Sequence, residues 1–342
     1  MRRIVSRFIA GFVICAAPLA AQQRSLLFVE NSQGGDVSVI DAATLKVTGT
    51  IPIGLSPDEI VASPSRNVLY LDRIVRTKDG RLTGSGELVA IDPATSAILW
   101  RAPLNGAPNH IAVSPDGKRI YITIVSGSYV VIVDAAKHAV VDSVDVGTGP
   151  HDIEVSHDGK HVYVGLIRGT DVTEFDAATK KIIRKIPFDQ NVRPIALSHD
   201  EKRLYVQLSH THAIVVVDPT SGKIIQRVAM PVPAGKTLPD SMPIDVNHGL
   251  RITPDGKFLI ANGSLFDIAT VWAIPSMKLV ASIPVGHDPN WIVLSPDAKR
   301  AFVSNRRSDD VSVIDLTSYK EIARIKVGKW PQRMASVSVA GK

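Results

Sequence analysis

Seven residue pairs in this chain stand directly before an apolar residue that recurs along the sequence. They are Asp58-Glu59, Asn109-His110, His151-Asp152, Arg193-Pro194, His248-Gly249, Asn290-Trp291 and Gln332-Arg333. The set is polar, mixed in charge and different at every recurrence, whereas a packing requirement would repeat one residue. Three imidazoles (His110, His151, His248) beside Asp58, Glu59 and Asp152 could hold a divalent metal, as three histidines and an open position do in catalytic sites. Asn109, Arg193, Asn290 and Arg333 add hydrogen-bonding groups for a ligand. Trp291, with Trp330 nearby, offers a face for stacking a flat or sugar-like ligand, and burial between units is the equal alternative. The same residues also suit a metal-free polar rim whose histidines bond to backbone carbonyls or water, and that reading is preferred.

The elements that must position these pairs follow from a repeat. Pro108-Asn-His-Ile-Ala-Val-Ser-Pro-Asp-Gly-Lys118 returns as Pro150 to Lys160 and as Pro289 to Lys299. Asp92, Asp134, Asp176 and Asp218 stand 42 residues apart, and Asp41, Ala273 and Asp315 complete seven copies. A period of this size built from short β-runs marks a propeller or solenoid. In the third copy, Val, Ile and Tyr enrichment predicts strands over Asn109–Val113, Arg119–Val125, Tyr129–Val133 and Ala139–Val146, separated by turn residues. Four antiparallel strands per unit make a blade, so the expected fold is an all-β seven-bladed β-propeller. The first strand-like run, Leu26 to Glu30, matches a second strand, and Pro331 to Ser336 matches a first strand. The two ends should therefore share one blade and close the ring, leaving no free sheet edge.

These units resemble the YVTN repeats of seven-bladed bacterial propellers, carried here by Pro108 to Lys118, Arg119 to Thr123 and Val131 to Asp134 with their counterparts. The resemblance is specific for fold and weak for function. More distantly, the architecture is similar to virginiamycin B lyase and the propeller lactonases. That likeness implies a metal-dependent lyase or hydrolase, with His110, His151 and His248 as ligands and Glu59 or Asp152 as base. Some periplasmic relatives imply nucleic-acid binding.

Composition narrows these options. Arg2, Arg3 and Arg7 precede an apolar run from Phe8 to Ala17, which reads as a secretory signal over 1–21, followed by one domain over 22–342. No later apolar run reaches membrane-spanning length, so a periplasmic or secreted protein, most simply a monomer, is expected. The formal charge of +6 falls to +3 once the three signal arginines are removed, a poor footprint for nucleic acid. Arg73, Arg76, Lys78, Arg81, Arg306 and Arg307 are the only candidate patch. The single cysteine, Cys15, lies within the signal, which excludes disulfides and thiolate chemistry from the domain. No nucleophile elbow, paired-histidine zinc helix, phosphate loop or dinucleotide fingerprint is present.

The remaining carboxylates read as turn residues: Asp41, Asp92, Asp134, Asp176, Asp218 and Asp315 each open a third-to-fourth-strand turn. Alternating connections put both insertions on one face: the second-to-third turn Asp72 to Gly86 and the link Pro231–Met242. His210 and His212 are expected on a solvent-exposed turn of the same face. Long loops on one rim of a rigid scaffold mark where binding is usually placed. The leading expectation is thus a propeller that binds a small molecule or partner protein at the funnel on its long-loop face.

Overall fold

In the computed structural model, which describes residues 23–77 and 81–340, the chain forms seven four-stranded antiparallel sheets. Blade 3 consists of Pro108–Val113, Arg119–Ile124, Tyr129–Asp134 and Ala139–Asp145, within one residue of each expected boundary. The Ser-Pro-Asp-Gly turn holds because Asp116 Oδ1 accepts from the Lys118 amide at 3.0 Å. The third-to-fourth turn holds because Asp134 Oδ1 accepts from the Ala136 and Lys137 amides at 3.0 Å. The repeated aspartates are therefore turn anchors. The secretory segment at residues 1–21 lies outside the described residues. No described helix is long and apolar enough to cross a membrane. The one helical turn described is a 3-10 turn at Ser264–Phe266.

Blade 1 is assembled from both ends of the domain. Pro331–Ala340 pairs antiparallel with Gln23–Asn31, setting Phe28 opposite Ala335. Seven hydrophobic clusters fill the seven gaps between neighbouring blades. Blades 7 and 1, for example, share Phe302, Val311, Leu27 and Met334. Apolar area is thus buried wedge by wedge, and each blade depends on both neighbours. Each outer strand carries a bulge against its third strand. That bulge twists an edge bearing exposed aliphatics such as Val140 and Val141, which discourages strand addition by another chain.

Two expectations about the loops need correction. Asp72 to Gly86 is largely not a turn, because its residues extend the strands Leu69–Arg76 and Leu82–Ile91 into a longer hairpin. His212 is buried rather than on a solvent-exposed turn. Its Nδ1 faces Asn247 Oδ1 at 2.9 Å and its Nε2 faces Pro231 O at 3.3 Å, so it clamps the long link between blades 5 and 6. The exposed His210 adds a contact from Nδ1 to Met242 O at 2.8 Å.

Candidate functional site

The paired residues sit where each blade's innermost strand starts, and a local irregularity exposes their backbone. In every blade but the sixth the register between first and second strands shifts at this point. Amides released from the ladder must find another acceptor. One position on the second strand supplies it, reading Glu30, Asp72, Thr123, Gly165, Gln207, Asn262 and Ser304 through the blades. Asp72 Oδ1 accepts from Glu59 N at 3.1 Å, and Thr123 Oγ1 from His110 N at 2.9 Å. Ser304 Oγ accepts from Trp291 N at 3.1 Å, and Glu30 Oε2 from Arg333 N at 3.1 Å.

Blade 4 has glycine at this position because a Cβ on Gly165 would sit 2.8 Å from Val192 Cγ1. There Asp152 does the work, accepting from Ile153 N at 2.9 Å and, across the blade gap, from Ile195 N at 2.7 Å. This second ring of buried polar residues was missed in the sequence. It was readable as another position that varies with every copy.

Arg333 is the centre of the hub. It is 1% exposed, and its guanidinium reaches Glu59 Oε2 at 3.2 Å, His110 Nε2 at 2.7 Å and Asn290 Oδ1. It also lies 4.2 Å from the Trp291 ring centroid. On its other side His110 Nδ1 faces Glu59 Oε2 at 2.9 Å and Asp152 Oδ1 at 3.2 Å. Burial and Arg333 oppose a charge on His110, but the carboxylates of Asp152 and Glu59 outweigh them and push its pKa up to about 9. The 2.7 Å contact decides the state nonetheless. Arg333 can only donate, so Nε2 must carry a lone pair, and the imidazole is neutral while Arg333 is seated.

Burial first, and then the guanidiniums of Arg333 and Arg193, hold the imidazoles of His151 and His248 well below their usual range. Burial raises Asp152, but His110 and the Ile195 amide reverse that and hold its carboxyl low. Burial and then Asp58 push Glu30 and Asp72 well up.

The structure thus gathers Glu59, His110, His151, Asp152, His248, Asn290, Trp291 and Arg333. His110 and His151 ring centroids are 4.4 Å apart, and those of His151 and His248 are 5.5 Å apart. Asp58 and Asn109 bond to each other, with Gln332 Nε2 donating to Asp58 Oδ1 at 2.6 Å. Arg193 turns away to the long link, donating to Ser209 Oγ at 2.9 Å and Ile244 O at 3.1 Å.

For a metal, the donor set fits poorly. Both His110 nitrogens are committed, and His248 Nδ1 stands 3.3 Å from Asn290 O. Among the described residues, no three His, Cys, Asp or Glu side chains meet at metal-binding spacing. Three members of the candidate basic patch are matched by acids: Arg73 Nε lies 2.6 Å from Glu87, and Arg306 and Arg307 lie 2.9 and 3.4 Å from Asp288, while Lys78 lies outside the described residues.

The space beside the hub lies toward the opposite end from the long loops. A cavity of about 390 Å³ runs from Glu59 and Trp291 past Ala62 and Arg251 to Pro64 and Pro296 in the short turns. A second, of about 210 Å³, shares Glu59, Ala62, Arg251 and Trp291 and adds Asp152 and Glu154. Together they form one lumen floored by the hub. Glu154, absent from the expected site, is pushed up to about 8, chiefly by burial and then by Asp152. A raised carboxyl stabilises the fold fully below its unfolded value and loses that contribution as pH rises through the folded one. Glu154→Gln should therefore match the wild type near pH 4.5 and become progressively more stable than it up to pH 8. The gap should reach on the order of 3 kcal/mol at most, since the side chain still meets water. Urea unfolding across pH checks this, and a pH-independent difference would contradict it.

Comparisons with known proteins agree with this architecture. A family model described as YNCE-like beta-propeller matches residues 63–243. A search of curated proteins finds no match. Among solved structures, Kuenenia stuttgartiensis hydrazine synthase is similar at TM-score 0.71 and 22% identity, over 85% of this chain and 92% of that one. The Pseudomonas aeruginosa periplasmic gluconolactonase PpgL reaches TM-score 0.74 at 19% identity, over 92% and 99%. A putative 6-phosphogluconolactonase from Bacteroides fragilis reaches 0.69 at 15%, over 94% and 100%. At these identities the likeness shows the fold alone.

Proposed function

The chain belongs to the YNCE-like beta-propeller family, and from that premise we propose that it is a binding module holding a small ligand in its central channel. Entry is from the Ser-Pro-Asp-Gly end. The observation that carries this is the pair of adjoining cavities that share Glu59, Arg251 and Trp291 as walls. A concave, partly apolar space with a few convergent polar groups is the usual form of a small-molecule site. The long-loop end suits a ligand less well, because His110, Asn290 and Arg333 are almost wholly buried and committed to one another. Export to the periplasm is part of this reading, and cell fractionation tests it.

A second reading is lactone hydrolysis. Glu59, Asp152 and Glu154 put three carboxyl groups on the lumen wall, and two of the similar structures carry gluconolactonase in their names. One experiment separates the readings. Ala62 lines both cavities, so Ala62→Phe should fill the lumen while leaving the blades intact. A ligand from a thermal-shift screen should raise the wild-type Tm and leave that of Ala62→Phe unmoved. An equal rise in both proteins would remove the channel site. Binding alone leaves glucono-δ-lactone untouched in a pH-stat. Turnover that Ala62→Phe abolishes would favour hydrolysis, and metal analysis of tag-free protein with chelation would show whether a cation takes part.

A further inference from the structure

The repeat provides its own control for the lumen wall. One step past the hub residues, the first strands read Val61, Ala112, Glu154, Ala196, Arg251, Val293 and Ala335. Five blades place a small or aliphatic residue there. Blades 4 and 6 place opposite charges. Every member of this set except Ala196 lines the cavities, so the two charges face the same space.

Neither charge has an ion-pair partner among the described residues. Arg251 makes one long hydrogen bond, Nε to Ile292 O at 3.5 Å, and its guanidinium stands 5.8 Å from the Trp291 ring centroid. Among the described residues Glu154 has no hydrogen-bond or ion-pair partner, and it does not pair with Arg251. The other charges at the lumen floor are spent on the hub: Glu59 on Arg333 and His110, Asp152 on His110 and two amides. A guanidinium left with free donors in a confined space is built for a carboxylate. Burial, then Asp152 and Glu59, raise Glu154 to about 8 against Arg251, so its protonated carboxyl can serve as a donor as well.

We propose that the lumen selects small monocarboxylates, with Arg251 taking the carboxylate, Glu154 donating a hydrogen bond to the ligand and Trp291 packing on its body. This rests on the channel-binding reading above and names its ligand class. Beside the hub Arg251 is the cation without an acid partner, which suits one negative charge there, and the nearby carboxylates of Glu59 and Asp152 disfavour a dianion such as phosphate. Arg66, which donates to Ser336 O at 3.0 Å, adds a second cation near the turn end of the larger cavity. Raising the pH ionises Glu154, which removes a donor and adds a charge facing the ligand.

The test is calorimetric titration of the full domain with matched acids and amides: acetate and acetamide, lactate and lactamide, gluconate and gluconamide. At least one acid should bind about tenfold more tightly than its amide, and Arg251→Gln should remove that preference. Wild-type affinity for that acid should fall about tenfold between pH 7 and pH 9, and Glu154→Gln should abolish the fall. If Arg251→Gln does not fold, the pH series with Glu154→Gln decides. Acids that bind no better than amides, or that do not bind at all, overturn the carboxylate proposal. A thermal response to any neutral compound that Ala62→Phe removes would still leave the channel reading standing.

Discussion

Removing residues 331–342 should leave a chain that does not fold cooperatively. These residues supply the innermost strand of blade 1 and members of two inter-blade clusters: Met334 toward blade 7, and Ala335, Val337 and Val339 toward blade 2. Three of them are large and nearly fully buried, so exposing them costs on the order of 6 kcal/mol, comparable to a typical domain's whole stability. The deletion also uncovers the edge of Gln23–Asn31, whose Leu27, Phe28 and Val29 are 0% exposed in the closed ring. Such an edge is a template for aggregation. Size-exclusion chromatography and thermal circular dichroism check this. A monomer melting cooperatively within a few degrees of the intact protein would refute it.

Arg333→Met should lower the unfolding free energy by about 3–5 kcal/mol, the usual cost of breaking a buried charge network by removing one partner. Methionine fills similar volume, so the loss comes from the polar contacts. Asn290 Oδ1 and His110 Nε2 lose the Arg333 donor, and Glu59 keeps only His110. Arg333→Lys should recover less than about half, because an ammonium cannot present a planar fork to acceptors on three strands. Urea denaturation with unchanged m-value would measure it. A loss under about 1 kcal/mol for Arg333→Met would mean that the hub is better solvated than its burial indicates.

Much of this molecule was readable from spacing alone. The seven copies marked the blades, and the turn aspartates predicted their own bonds, as Asp134 shows. The residues before each first-strand apolar position do converge on the channel, apart from Arg193. Glu154 and Arg251 were one step further along the same alignment and could have been found there. The hairpin at Asp72 to Gly86 was misread as a turn because an insertion's length does not say whether it pairs.

Local sequence determined strand, turn and blade number, because those depend on side-chain alternation and on turn residues a few positions apart. It could not determine which polar groups neutralise one another across the hub. Arg333 and His110 are separated by 223 residues and meet only when the ring has closed. The end of the channel that holds the cavities was decided in the same way. It depends on ring radius, strand tilt and side-chain direction, which emerge from seven wedges packing at once and have no signature in any single repeat.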